Sequence, residues 1–401
     1  MVLQIKNLIK EHISLFVLGI ASVSFFVLNI VLKDILSPEE YGLYSMLITY
    51  CSLMSAFGLF GLDQVFLRTS LIEDKEIIVD SRLISMLLIM VLFMSIIGST
   101  VISKFYDFGI GYFYLILLSC SMALIKLSYN ISRLLSKFFL SQLTLNFWKL
   151  GLTLLILFGL FVNLNITVSS ISLYLFYFSL ISLFSFIFFI SKISFKVLSY
   201  SRADLMKLAL GFFLTLFTLS ILRFADRFII ERKFGLEEIG NYFFYVNLFL
   251  YPFTFFSSYI GFKELVTFKK VFSMDMLNKK IVLATKLAIL FGVIYLLIIL
   301  AIDSLNIYEF NLYDYKLVIL LLMLWGIVKV VASLLSSGIG ALTSQQDLNK
   351  INLLSIVLIL SLGLTLHYCH TITSIIIFFL IVWVIRYGLY YLILYKKNIK
   401  K

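Results

Sequence analysis

The sequence has 401 residues and a formal net charge of +12, and its composition excludes an ordinary soluble protein. Hydrophobic residues make up 62% of the chain and charged residues only 13%, whereas soluble domains average about 45–50% and about 25%. The mean hydropathy of +1.08 is typical of a chain built largely from membrane-spanning segments.

Twelve apolar stretches are long enough to cross a bilayer as helices, which takes about 20 residues each. The first is too long for the hydrophobic core of a signal peptide and lacks a small-residue cleavage site, so we expect it to remain as a span. The sequence therefore predicts an all-α integral membrane protein with twelve transmembrane helices. Their approximate bounds are 13–32, 43–62, 83–103, 111–130, 143–162, 170–191, 206–230, 239–262, 281–302, 315–340, 351–368 and 372–393.

The pattern Glu-Glu-x-Gly-x-Tyr occurs twice, at 39–44 and 237–242. Each copy follows the first long apolar stretch of its half, which indicates two tandem units. We expect residues 1–200 and 201–401 to form one six-helix bundle each. An even number of spans per unit makes both units enter the membrane in the same direction, so the bundles would be related by a parallel pseudo-two-fold axis.

The positions of Lys and Arg predict that both termini are cytoplasmic. In that orientation the inner tails and loops hold 24 of the 33 basic residues, the outer loops five, and the spans four. The positive net charge is then an orientation signal, and no nucleic-acid partner is expected. The outer connections do not exceed roughly fifteen residues, which leaves no room for an outer catalytic domain.

Catalytic signatures are missing from the sequence, so we expect no enzyme activity and no cofactor. The three cysteines form no C-x-x-C pair. The run from His367 to His370 has a spacing that could seat a metal ion on a helix. Our interpretation is that these histidines lie in an interfacial turn, and we expect no metal site.

Basic residues inside the spans are the first candidate functional residues. An Arg or Lys near the bilayer centre costs at least about 2.5–3.5 kcal/mol and normally faces a bundle interior or a wet cavity. Lys329 is the deepest, and Arg386 is the second, with an interfacial anchor as its alternative role. Lys126 and Lys149 lie nearer the predicted inner surface, where their ammonium groups could also snorkel to the headgroups.

The seventh predicted span carries Arg223, Asp226 and Arg227 within one helical turn. This spacing places them in one stripe, which either lines a cavity or snorkels to the outer headgroups. At the end of the second span, Asp63 and Arg68 are close enough in sequence to pair with each other. Asp63 and Asp226 are the only acids placed to serve H+ or Na+ coupling.

Bases outnumber acids among these residues, so an interior cavity would be cationic. Such a cavity suits an anionic cargo such as a phosphate or diphosphate, to which arginine can donate two parallel hydrogen bonds. It suits the export of cationic drugs poorly, because that task requires exposed carboxylates.

Three segments resemble the bacterial polysaccharide flippases of the multidrug, oligosaccharidyl-lipid and polysaccharide exporter superfamily. They are S-P-E-E-Y-G-L-Y (Ser37–Tyr44), F-G-L-F-G-L-D-Q-V-F-L-R (Phe57–Arg68) and the stretch Ala225–Tyr242. Lys329 matches no motif of this family, so its role depends on burial alone.

The resemblance implies two six-helix bundles around a cationic cavity that opens alternately to either side of the bacterial cytoplasmic (inner) membrane. The implied cargo is an oligosaccharide repeat unit of O-antigen, lipopolysaccharide or capsule carried on undecaprenyl diphosphate. The implied partners are membrane lipids, a polysaccharide polymerase and a chain-length regulator. Lys126, Arg133 and Lys149 would meet the diphosphate first.

Two alternatives remain open at this point. One is a cation-coupled small-molecule antiporter of the same superfamily. The other is a membrane polysaccharide polymerase or ligase, for which we would expect a large outer loop with catalytic Arg or His.

Overall fold

The computed structural model describes residues 2–73, 76–190, 192–196, 200–305, 308, 310–342 and 345–399, and most of them are helical. Lys75, Lys400 and Lys401, counted among the inner basic residues, lie outside these ranges. The helices are α1 (Val2–Ile35), α2 (Pro38–Phe57), α3 (Leu62–Thr69), α4 (Ser81–Ile102), α5 (Tyr112–Leu134), α6 (Phe138–Phe161), α7 (Val168–Ile190), α8 (Arg202–Phe234), α9 (Leu236–Tyr245), α10 (Tyr251–Lys270), α11 (Met274–Ser304), α12 (Lys316–Leu342), α13 (Gln345–Gly363) and α14 (Ile372–Ile399).

Within the described ranges, eleven helical segments are long and apolar enough to cross a membrane. The sixth predicted span falls on α7, whose apolar part Val168–Phe184 is shorter. Each of the twelve predicted stretches coincides with one of these segments, so the prediction of an all-α integral membrane fold is confirmed. The chain is a multi-pass membrane protein, while the sidedness of its termini stays a prediction.

Several helices extend beyond the predicted spans because polar residues continue them. Helix α8 has 33 residues, against the predicted 206–230. It begins at a capping box, in which the Ser201 hydroxyl accepts from the Asp204 amide at 3.1 Å and the Asp204 carboxylate accepts from the Ser201 backbone amide at 3.3 Å. It ends at Gly235, whose φ of +89° lies in the left-handed region that favours glycine.

Helices α9 and α10 are joined by a π-helical turn, Val246–Leu250. Pro252 follows this turn at the start of α10. Because proline has no amide hydrogen to donate, it favours an irregular turn on its N-terminal side. The α-helical geometry of the eighth predicted span is therefore interrupted at this turn.

A small sheet stands where the sequence predicted only loops. Its strands are β1 (Leu71–Glu73), β2 (Glu76–Asp80) and β3 (Ile193–Lys196), in the order β1-β2-β3. β1 pairs antiparallel with β2, and β2 pairs parallel with β3. β-branched residues drive this pairing, since Ile77, Ile78 and Val79 are buried. The sheet ties the segment before α8 to the segment before α4.

Both copies of the repeated pattern lie at helix N-termini, in α2 and α9. Ser37 and Glu40 form a capping box at the start of α2, with both hydrogen bonds at 3.2 Å. A Cβ on Gly42 would lie 1.8 Å from the carbonyl oxygen of Leu236. A Cβ on Gly240 would lie 3.0 Å from the amide nitrogen of Gly42. The repeated glycine is therefore required by a close approach of two helix ends.

Helices α2 and α8 run antiparallel in contact with each other. Beyond the glycine contact, Arg227 of α8 reaches Thr49 of α2. At the other end of α2, Gly61 has a φ of +74°, and a Cβ there would lie 2.5 Å from the carbonyl oxygen of Ala209. This close packing holds the polar residues of α8 against α2 and α3.

The chain divides into two compact units, Met1–Asn241 (unit 1) and Tyr242–Lys401 (unit 2). Buried apolar residues such as Phe66, Leu127 and Leu205 form a core in unit 1, and Phe253 and Leu335 belong to a core in unit 2. By these contacts α8 lies in unit 1. The division into bundles 1–200 and 201–401, which rests on the sequence repeat, stays a prediction.

Candidate functional site

The three charged residues predicted to form one stripe on α8, Arg223, Asp226 and Arg227, differ in burial. Asp226 and Arg227 are only 3% and 4% exposed, whereas Arg223 is exposed. Nη1 of Arg227 donates to Oγ1 of Thr49 at 2.6 Å, and the guanidinium carbon lies 5.4 Å from the ring centroid of Phe224. Snorkelling to the outer headgroups therefore does not describe Asp226 and Arg227, because protein encloses both charged groups.

The position of Thr49 along α2 indicates how deep in the bilayer the Arg227 guanidinium lies. It lies about 16 Å along α2 from Pro38, at a rise of about 1.5 Å per residue. The hydrocarbon core of a bilayer is about 30 Å thick. If α2 enters the bilayer between Pro38 and the predicted start of the span at residue 43, Thr49 lies about 9–16 Å inside the hydrocarbon core. A charge at that depth is costly unless it faces protein or water.

Asp63 lies on α3 and is 2% exposed. Its Oδ2 accepts hydrogen bonds from Gln64 at 2.8 Å and from Asn130 of α5 at 3.3 Å. Its Oδ1 is buried and has no hydrogen-bond partner among the described residues. The Asp63–Arg68 pair considered from the sequence does not form, because the carboxylate faces α5 and the Arg68 guanidinium lies over a phenyl ring of α8.

One basic residue of unit 1 lies near this acid, and two arginines lie near that base. Lys126 is close enough to interact electrostatically with Asp63, and also with Arg133 and Arg223. The Lys126 ammonium and the Arg133 guanidinium lie 4.8 and 5.3 Å from the ring centroid of Tyr129. The structure thus brings two site residues predicted separately, Lys126 and Asp63, into one mixed-charge cluster.

Lys149 belongs to a different part of unit 1. Its Nζ donates to Oδ1 of Asn146 at 2.9 Å on the same helix, α6. The ammonium group lies 5.6 Å from the ring centroids of both Phe25 and Trp148. Lys149 is half-buried between α1 and α6, so its charge is stabilised by an amide oxygen and two aromatic faces.

The two candidates in unit 2 lie on helices that contact each other, α12 and α14. Lys329 is half-buried, with its ammonium 5.3 Å from the ring centroid of Trp325. Arg386 is 1% exposed, and its Nε and Nη2 donate to the Tyr390 hydroxyl at 3.0 and 2.8 Å. The alternative role of Arg386 as an interfacial anchor does not fit a side chain so fully enclosed.

The histidine run lies at the turn before α14. His367 and His370 are exposed, and Cys369 is partly buried. Within the part of the chain that the structure describes, no group of three or more His, Cys, Asp or Glu side chains could hold a metal ion.

Sequence reasoning missed several polar partners of the candidate residues. Tyr390 follows Arg386 by one helical turn, a spacing that could have predicted their contact. Thr49 and Asn130, by contrast, approach Arg227 and Asp63 only through tertiary packing. An Asn or Thr inside an apolar span was the available signal.

No protein-family model matches the sequence, and no curated protein matches it either. Solved structures of similar fold are found nevertheless. An outward-facing multidrug-resistance MATE family transporter of the MOP superfamily aligns with a TM-score of 0.59 and 13% identity, over 96% of this chain and 95% of that one. An inward-facing structure of a MATE family transporter gives a TM-score of 0.55 and 13% identity, over 96% and 94%.

A third similar structure is a MOP superfamily transporter from Pyrococcus furiosus, described as having a binding pocket of reverse polarity that suggests a different function. It aligns with a TM-score of 0.52 and 12% identity, over 97% of this chain and 94% of that one. At such low identity the likeness establishes the fold alone. The chain therefore has the fold of MOP superfamily transporters along almost its whole length.

Proposed function

We propose that this protein is a membrane transporter that flips oligosaccharide repeat units linked to undecaprenyl diphosphate. The cargo would move from the inner to the outer leaflet of the bacterial cytoplasmic membrane by alternating access. The likeness in fold to transporters supports transport in general. The sequence resemblance at Ser37–Tyr44 and Ala225–Tyr242 supports the polysaccharide branch of the superfamily.

The observation that carries the proposal is the burial of basic residues deep within apolar spans. Arg227 and Arg386 are 4% and 1% exposed. Asp63 and Asp226 are the acids buried at comparable positions. Three further bases are half-buried in the spans, namely Lys126, Lys149 and Lys329. This excess of positive charge suits a diphosphate cargo, because arginine and lysine form strong, charge-assisted hydrogen bonds with phosphate oxygens.

The comparison with the Pyrococcus furiosus transporter supports the idea that proteins of this fold can carry a cargo other than drugs. That protein is described as having a binding pocket of reverse polarity, which suggests a different function for it. The excess of buried bases in the present chain is compatible with a similar departure from multidrug export.

The proposed cycle moves residues 1–200 against residues 201–401. The sugars and the diphosphate pass through the protein while the lipid tail stays in the membrane. Along this route the diphosphate meets basic side chains in two groups, first Lys126, Arg133 and Lys149, then Arg223, Arg227, Lys329 and Arg386. A polysaccharide polymerase and a chain-length regulator would use the delivered units.

Coupling to H+ or Na+ would use Asp63, with Asp226 as the second acid. The Oδ1 atom of Asp63 is buried and has no hydrogen-bond partner among the residues that the structure describes, so it can carry a proton or contact a cation. Asp63 also lies within electrostatic range of Lys126. Protonation of Asp63 would therefore change the charge of a cluster that the cargo is proposed to meet.

The proposal is tested in cells that lack the gene. Accumulation of lipid-linked single repeat units without surface polymer, reversed by the intact gene, is the expected result. Unchanged lipid intermediates with normal surface glycan would contradict the proposal. A polymerase deletion would differ, because it leaves a single repeat unit on the surface lipid.

The fold favours one second candidate, a cation-coupled exporter of small molecules, because two of the similar structures are multidrug-resistance transporters. That function predicts acid-dependent drug resistance and tolerance to the loss of the buried bases. We propose no catalytic activity, since the fold is one found in transporters.

A further inference from the structure

The three-stranded sheet of unit 1 has one face made only of apolar residues. Residues paired across neighbouring strands project to the same face, and successive residues alternate between the two faces. Ile72 and Ile193 are the two partners of Ile77. Phe195 is the partner of Val79, so these five side chains share one face. The opposite face mixes polar and apolar residues, namely Leu71, Glu76, Ile78, Asp80, Ser194 and Lys196.

The middle of the apolar face packs on the core of unit 1. Ile77 and Val79 are fully buried in that core, and Ile193 packs against it. The same core contains Leu83 of α4 and Leu205 of α8, which belong to membrane-length apolar helices. The apolar face of the sheet is therefore turned towards the membrane-spanning part of unit 1, and the opposite face is turned away from it.

Two apolar side chains at the edges of this face extend beyond the core. Ile72 of β1 is 55% exposed, and Phe195 of β3 is 53% exposed. Both belong to outer strands, since the strand order is β1-β2-β3. The sheet thus presents apolar side chains on both sides of its buried centre, on the face that is turned towards the bilayer.

The neighbouring helices place the sheet at the depth of the lipid headgroups. Helix α4 begins at Ser81 and α8 at Arg202, whereas their predicted spans begin near residues 83 and 206. At a rise of about 1.5 Å per residue, the two helix starts lie about 3 and about 6 Å outside the hydrocarbon core. The headgroup layer reaches about 5–8 Å beyond that core on each side. Because β2 leads directly into α4, the sheet lies within this layer.

Exposed basic residues flank the strand that carries Phe195. Lys192 precedes β3, and Lys196 ends it. Two acids of this region, Asp80 and Asp204, accept backbone hydrogen bonds at the starts of α4 and α8. The predicted orientation places this end of unit 1 in the cytoplasm, where Lys and Arg next to the membrane are attracted to anionic lipids. The charge around β3 therefore matches anionic headgroups.

We propose that this sheet is an amphipathic anchor that binds the inner leaflet of the membrane. Ile72 and Phe195 insert at the boundary between headgroups and acyl chains, as the apolar faces of interfacial elements do. Lys192 and Lys196 contact the headgroups of anionic phospholipids. Since β3 belongs to the connection between the two sequence repeats, the anchor holds that connection at the membrane surface. This inference does not depend on the cargo of the transporter.

Spin labelling of the purified full-length protein in nanodiscs tests the anchor. A nitroxide is attached at Phe195→Cys in a background in which Cys51, Cys120 and Cys369 are replaced by alanine. Its depth follows from its collision rates with oxygen, which concentrates in lipid, and with a water-soluble nickel chelate. Lys196→Cys is the matched control, because this neighbouring residue is also exposed and belongs to the face that is turned away from the bilayer.

We expect the label at position 195 to collide more often with oxygen than with the nickel chelate, and the label at position 196 to show the reverse. Equal ratios at the two positions would overturn the anchor. Protection of the label at position 195 from both reagents would also overturn it, because protein, such as a second copy of the chain, would then cover this face. If Phe195→Cys does not fold, Ile72→Cys is compared with Glu76→Cys in the same way.

Lipid composition tests the contribution of the lysines. Phosphatidylglycerol added to phosphatidylcholine nanodiscs should move the label at position 195 deeper, and the double variant Lys192→Gln/Lys196→Gln should lose this shift. Lys104→Gln, which removes an exposed lysine beyond the other end of α4, should keep it. A label depth that does not respond to phosphatidylglycerol, or a shift that the double variant retains, would overturn the binding of anionic lipid by these lysines.

Discussion

Gly42 and Gly240, the glycines of the two repeated patterns, are in backbone contact. A Cβ on Gly240 would lie 3.0 Å from the amide nitrogen of Gly42 and 3.3 Å from its Cα. The two copies of the sequence pattern, about half the chain apart, thus lie at two helix N-terminal ends that touch each other. The side chain is absent from both positions because the backbones occupy its space.

Replacing Gly42 by alanine should destabilise the protein, since the new methyl group meets the carbonyl oxygen of Leu236. Overpacking of this kind costs about 1–3 kcal/mol, and more where backbone must move. Gly19→Ala is the matched control, because nothing lies within 4 Å of its Cβ position in α1. Thermal unfolding in detergent makes the comparison, and equal midpoints for the two variants would contradict the close contact.

The hydrogen bond from Arg227 to Thr49 is tested by Thr49→Val. Removing an acceptor from a buried charged donor should cost about 1.5–3 kcal/mol of folding free energy. Thr285→Val removes a hydroxyl whose one hydrogen bond among the described residues is to the carbonyl oxygen of Ile281 in its own helix, so its effect should be smaller. If both variants unfold at the same temperature, the Arg227–Thr49 contact contributes nothing measurable.

Lys329→Ala should reduce export of the lipid-linked cargo without preventing membrane insertion. The expected cause is the loss of a half-buried positive charge next to Trp325. Lys316→Ala is the control, since this lysine lies at the start of α12 beside Tyr313. Surface polysaccharide and protein level are measured together. Export at the wild-type level from Lys329→Ala would remove this residue from the proposed route.

Asp63→Asn should abolish the dependence of transport on a proton or sodium gradient, because an amide cannot be deprotonated. The hydrogen bonds with Gln64 and Asn130 can be kept by the remaining carbonyl oxygen, so the fold should persist. Asp275→Asn, which alters an exposed ion pair with Lys279, should leave the gradient dependence unchanged. If transport by Asp63→Asn still responds to the gradient, Asp63 is not the coupling residue, and Asp226 becomes the candidate.

The spans could be predicted from the sequence because about 20 apolar residues are needed to cross a bilayer. The helix ends could not, since capping residues such as Ser201 and Gly235 lie beyond the apolar stretch. The strands around Ile77 escaped prediction because β2 depends on a distant partner, Ile193. A run of β-branched residues before Asp80 was the only local signal.

The candidate site could be predicted in part. Burial of charged side chains followed from their position in apolar stretches, and Arg386 is indeed enclosed. The partners depended on tertiary contacts, since the residue that holds Arg227 is 178 positions away in sequence. The sequence could therefore identify the candidate charged residues, while their hydrogen-bond partners became known only from the structure.

Reconstitution into proteoliposomes tests the central claim most directly. The vesicles start with undecaprenyl-diphosphate-linked repeat units in the inner leaflet. The measured quantity is the rate at which an impermeant glycan-modifying reagent outside the vesicles reacts with these units. We predict that vesicles with the wild-type protein expose the glycan, whereas protein-free vesicles do not and vesicles with Arg227→Gln or Lys329→Ala do so more slowly. Equal exposure with and without the protein would contradict the account.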